Sequence, residues 1–108
     1  MEVLYSDDFR HSAKKLVKRY KSLKKDLKIF TDSLENDFRQ GTEVLPDVYK
    51  VRIKNSDNNK GKSSGYRIIT YLITEYDVLL VNIYSKNDMS NISDKEINTT
   101  IESYKKEQ

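Results

Sequence analysis

The chain has 108 residues, 34% of them charged, a net charge of +3, no cysteine and one histidine. That length suits a single domain, 1–108, with one modest core, and the periodic recurrence of Leu, Ile, Val, Tyr and Phe argues against a disordered chain. The absence of cysteine excludes disulfides and thiolate metal sites. The start MEVLYSDDFR lacks the basic and apolar regions of a signal peptide, and no stretch approaches the ~20 apolar residues of a membrane span, so a cytoplasmic protein with no membrane partner is expected.

The charge is unevenly distributed. Residues 10–28 hold nine cations and one acid, and residues 48–68 hold six cations (Lys50, Arg52, Lys54, Lys60, Lys62, Arg67) and one acid, Asp57, on a chain that is otherwise acidic. Such blocks favour a directed electrostatic surface and an anionic partner.

In chain order, MEVLY suits a short edge strand, and Ser6, Asp7 and Asp8 offer an N-cap and acids for a first helical turn. Phe9, Ala13, Leu16, Val17 and Tyr20 then recur at helical spacing. Ser22 can cap a second helix, whose stripe of Leu23, Leu27, Phe30, Leu34 and Phe38 runs to a stop near Gly41. With almost no linker between them, the two helices should fold back as a hairpin.

After Leu45 and Pro46 the period becomes two: Tyr49, Val51 and Ile53 point one way, and Lys50, Arg52 and Lys54 the other. Residues 55–65 are a polar loop. Tyr66–Ile73 and Val78–Tyr84 read as two further strands joined by a tight connection, and short connections make antiparallel neighbours. Ser93 and Glu96 form a capping box for a last helix, 94–106, with Ile97, Ile101 and Tyr104 on one face. The expected order is strand, two helices, three strands, helix: an α+β fold with a helical hairpin on one face of a mostly antiparallel sheet and the other face left over. The cations of strand 48–54 should lie on or beside that open face.

The segments RYKSLKKDLKIF, YKVRIK, GKSSGYRIITY and LLVNIYSKNDMSNISDKEI together resemble the RelE/ParE superfamily of type II toxin–antitoxin toxins, and within it the RelE- and HigB-like members. The resemblance spans nearly the whole chain. It implies the small RelE-like fold and an mRNA interferase, a cytoplasmic endoribonuclease that needs no metal or cofactor. Such a toxin enters the ribosomal A site, cleaves the mRNA there, inhibits translation and is silenced by a cognate protein antitoxin. By motif, Lys50 and Arg52 fall on the family's basic strand pair, Arg67 on the arginine that follows it, and Lys86 on a lysine after the next strand. Where RelE carries a second arginine this chain has Asn87, and near the family's tyrosine base it has Ile92 and Ser93. The alternative is a non-catalytic relative, either a ParE-like gyrase inhibitor or an inactive antitoxin-binding partner.

Cleavage by 2′-hydroxyl attack needs a proton acceptor, a donor for the leaving 5′-oxygen and cations around the pentavalent phosphate. Lys50, Arg52 and Arg67 supply the cations, or else form a merely solvated strand face. Tyr84 is a candidate base, a stacking platform or a residue at the core edge, and Lys86 a proton shuttle, a phosphate contact or an ordinary surface lysine. Lys54, Lys60 and Lys62 are candidate RNA contacts; the glycines near the last two lack P-loop spacing. The basic helix stretch from Arg10 to Lys28 could touch ribosomal RNA phosphates or simply face solvent. His11, far in sequence from the basic strands, is expected to be a surface residue.

Overall fold

The computed structural model describes residues 2–57 and 64–108. Its elements run β1 (Glu2–Tyr5), α1 (Asp7–Arg19), α2 (Leu23–Leu34), β2 (Thr42–Leu45), β3 (Val48–Ile53), β4 (Tyr66–Leu72), β5 (Asp77–Ser85) and α3 (Asp94–Lys106). The strands form one sheet ordered β1-β5-β4-β3-β2, antiparallel throughout except where β1 lies parallel to β5. The fold is α+β, as expected.

Local chemistry explains most boundaries. Ser6 is extended, its Oγ accepts from the Phe9 N–H at 2.9 Å, and Asp7 and Asp8 occupy the first turn of α1, where acids complement the helix dipole. Ser93 does the same for α3, accepting from the Glu96 N–H at 3.1 Å. Ser22 departs from expectation: it has a helical backbone and no side-chain cap bond, and its own N–H donates to Asp57 at 3.3 Å.

Helix α2 stops at Leu34, well before Gly41. Asp37 turns back to accept from the Arg39 N–H at 3.2 Å, a local bond that competes with helix continuation. Phe38 therefore lies beyond the helix, yet it still packs against the core. Gly41 has φ +96° at the entry to β2, where a Cβ would collide with the Lys50 carbonyl.

Strand β2 is an addition to the expected order. Pro46 and Asp47 form its two-residue turn to β3, with Asp47 at φ 62° and its N–H donating to Glu43 at 3.0 Å. Proline followed by a residue with positive φ is turn chemistry, so Leu45–Pro46 lies inside a hairpin and does not mark where the strands begin.

Two apolar layers sandwich the sheet. On one face Phe9, Leu16, Leu23, Phe30 and Leu34 of the helical hairpin meet Tyr49, Val51, Tyr66, Ile68, Leu72, Val78, Leu80 and Ile83. On the other, Ile97 and Ile101 of α3 meet Val48, Ile69, Leu79, Val81 and Tyr84. The second face is thus roofed in part, which corrects the expectation that it is left over: the capped amphipathic α3 needs an apolar bed, and Val48, Ile69, Leu79 and Val81 supply it.

A β-bulge decides which way Tyr84 points. Ile69 pairs with Asn82 and Thr70 with Leu80, so Val81 is the extra residue in β5. The alternation reverses there, bringing Tyr84 to the α3 face with Leu79 and Val81, while Val78, Leu80 and Ile83 face the hairpin. The Val81 carbonyl accepts from Ser6 Oγ at 2.6 Å, so the capping serine also satisfies a buried acceptor at the bulge.

Candidate functional site

Beyond the edge of α3, the same sheet face becomes cationic. In the cross-strand register Arg52 stands opposite Arg67, and Arg67 opposite Tyr84. These three form one row across β3, β4 and β5. Lys50 sits one step along β3, paired with Ile69. The Lys86 N–H donates to the Gly65 carbonyl at 2.9 Å, which sets Lys86 beside the start of β4.

Burial differs along the row. Arg52 is exposed and Lys50 half-buried, but Arg67 is only 4% and Tyr84 only 6% exposed. One Arg67 nitrogen donates to the Tyr66 carbonyl at 3.3 Å. The Tyr84 hydroxyl is buried with no hydrogen-bond partner among the described residues.

Burial lowers the pKa of Lys50, and the charges of Lys86, Arg67 and Arg52 lower it further, against an opposing pull from Asp94. Burial and Arg52 likewise lower that of Arg67. Tyr84 moves the other way: burial raises its phenol by more than Arg67 draws it down. The patch therefore holds a destabilised ammonium on β3 and a firmly protonated phenol on β5.

The connection from β5 to α3 borders this patch and is pinned. Arg19 of α1 pairs with Asp88 at 2.5 Å, Lys86 Nζ donates to the Ser90 carbonyl at 3.1 Å, and Lys50 Nζ donates to Asn91 Oδ1 at 2.5 Å. The other end of β3 is tied to α2, where the Ser56 N–H and hydroxyl both donate to the buried Asp26 carboxylate, the N–H at 2.9 Å. Gly65 opens β4 where a Cβ would strike the Ile53 carbonyl, so no other residue fits this close approach.

The predicted residues separate clearly. Lys50, Arg52, Arg67, Tyr84 and Lys86 come together; Lys54 is exposed just past the end of β3, and Lys60 and Lys62 lie outside the described residues. His11 is exposed on α1. Ile92 is buried in the α3-face layer and Ser93 is the helix cap, so both serve the fold. Asn91 and Asp94 were not singled out from sequence. Nothing in their spacing marks them, and only the register of β3 against the later loop reveals them.

Two arginines facing each other on a partly roofed sheet, with two lysines alongside, make a surface whose chemistry suits phosphate oxygens. The sequence matches, over residues 9–107, the family described as RelE toxin of RelE / RelB toxin-antitoxin system. The chain belongs to that family and is the toxin of a toxin–antitoxin pair, with an antitoxin as its partner. No curated protein matches it. Among the described residues, no helix is long and apolar enough to cross a membrane.

Proposed function

We propose that this toxin is a ribosome-dependent mRNA endoribonuclease that inhibits translation by cutting mRNA in the A site. The observation that carries the reading is the Arg52–Arg67 pair in register, with Lys50 and Lys86 acting on the same patch. Like charges directly opposite one another destabilise a sheet. A bound phosphate would offset that cost.

In this reading the 2′-oxygen attacks the adjacent phosphorus, the bond to the 5′-oxygen breaks, and the products are a cyclic phosphate and a free 5′-hydroxyl. Arg52 and Arg67 stabilise the charge on the pentavalent phosphate. Lys50, its pKa lowered by burial and neighbouring cations, is the better acceptor for the 2′-hydroxyl proton, and Lys86 can return a proton to the leaving oxygen. Tyr84, its phenol raised, suits a hydrogen-bond donor to phosphate or a stacking surface better than a base. The antitoxin would silence the site by covering Lys50, Arg52 and Arg67 or by displacing α3.

The test is inducible expression of wild type, Arg52→Ala and Arg67→Ala in translating cells, with mRNA 5′ ends mapped. New ends inside reading frames for the wild type alone are expected. Growth arrest with intact mRNA would overturn the proposal in favour of a ParE-like target such as gyrase, and absence of arrest would overturn it in favour of an inactive relative.

A further inference from the structure

The cation cluster poses a problem of positioning. Lysine is a compact charge on a flexible stem, and Lys50 is flanked by Arg52 on its own strand, Arg67 on β4, Lys86 just past the end of β5 and Asp94 in the first turn of α3. Three of these four repel its ammonium, which would drive the side chain outward unless something holds it.

Asn91 meets that need. Its Oδ1 accepts from Lys50 Nζ at 2.5 Å, across 41 residues of sequence. The loop carrying it is fixed on both sides of the contact: the Asp88 and Met89 N–H groups donate to the Ser85 carbonyl at 3.0 and 3.3 Å, Asp88 pairs with Arg19, Lys86 holds the Ser90 carbonyl, and Ser93 caps α3 two residues later. The acceptor is also a neutral amide. A carboxylate there would hold the ammonium's proton and repel an incoming phosphate, whereas an amide carbonyl anchors Nζ and leaves it able to give up its proton and act as the base.

We infer that Asn91 is a positioning residue, whose side-chain carbonyl holds the Lys50 ammonium over the Arg52–Arg67 row from the β5–α3 loop without neutralising it. The kinetic consequence rests on the nuclease reading; the Lys50–Asn91 contact does not. Removing the amide lets the ammonium retreat from its like-charged neighbours, and replacing it with a carboxylate ties the proton down.

Two readouts on the full-length toxin test this, with Asn91→Ala and Asn91→Asp as variants, since Asn91 is exposed and neither change disturbs a core. The first is NMR titration of the Lys50 side chain in the free protein. Asn91→Asp should raise its proton affinity about tenfold or more, and Asn91→Ala should raise it by less, as the released ammonium moves away from its like-charged neighbours. The second is single-turnover cleavage of mRNA on programmed ribosomes across pH. Asn91→Ala should slow cleavage about 10–100-fold with little change in RNA binding, and Asn91→Asp should move the rising limb of the profile to higher pH in step with the NMR titration. A Lys50 titration identical in all three proteins overturns the inference, as does wild-type cleavage by Asn91→Ala. If the wild type fails to cleave, the nuclease reading falls, and the titration alone still decides the Asn91 contact.

Discussion

The two faces of the sheet are built to different ends. The hairpin face is a closed apolar layer from Phe9 to Leu34 against six strand positions that are at most 4% exposed: Val51, Tyr66, Ile68, Val78, Leu80 and Ile83. On the α3 face an apolar bed ends in a row of cations, one of them buried. The first is an apolar layer; the second accepts electrostatic repulsion, a cost that the proposed RNA-binding role would explain. Rules of consistent patterning fail most plainly on the α3 face, where like charges stand opposite one another.

Mutations can break that comparison. The largest effect expected is on the hairpin side: Phe30→Ala should cost ~3–5 kcal/mol in denaturant melts, with any folded fraction still binding RNA. On the other side, Arg52→Ala should remove ~3–4 kcal/mol of transition-state stabilisation in a cleavage assay, while stability stays constant or rises by up to ~1 kcal/mol once the charge opposite Arg67 is gone. A large stability loss in Arg52→Ala would show that the two faces do not divide their roles this way. Asp26→Ala, which strands the Ser56 donors, should cost ~1–3 kcal/mol, and thermal melts would register it.

A pH experiment sharpens the contrast. Lys50 has its pKa lowered in the folded protein, so between its folded and unfolded values the unfolded chain binds more protons and stability rises with pH. Lys50→Met should therefore match or exceed wild-type stability at neutral pH, and its advantage should shrink as pH climbs toward the ordinary lysine value, measured by urea titration at several pH values. Smallest of all, Asp88→Ala should leave stability almost unchanged, because the Arg19–Asp88 pair is exposed on both sides and such pairs contribute little; a double-mutant cycle would read it.

Much of this was legible in the sequence, for physical reasons. Ser6 with Asp7 and Asp8, and Ser93 with Glu96, are local capping signals, and the period-two run from Tyr49 to Lys54 assigns Lys50 and Arg52 to one face without tertiary information. Strand β2 was missed because TEVL is short and its turn is built by proline and aspartate, without glycine. The extension of α2 to Gly41 failed because Phe38 keeps helical spacing although Asp37 has already turned the chain. Tyr84 came to the cation row only through the bulge at Val81, which no alternation pattern encodes. Arg67 was singled out by its motif, but its burial was not, because that depends on β3 and β5 flanking it. Asn91 was invisible because its partner lies 41 residues away.

The bond from Ser6 to Val81 joins residues 75 apart, and β1 lies in the sheet only through β5. The first strand synthesised must therefore wait for the last. Long-range pairings of this kind are slow to form, and every member of the cation row, together with the loop that borders it, follows the helical hairpin in the chain. A nascent toxin still being translated has its basic helical hairpin but no assembled row, so the order of synthesis itself delays the hazard until the chain is nearly complete.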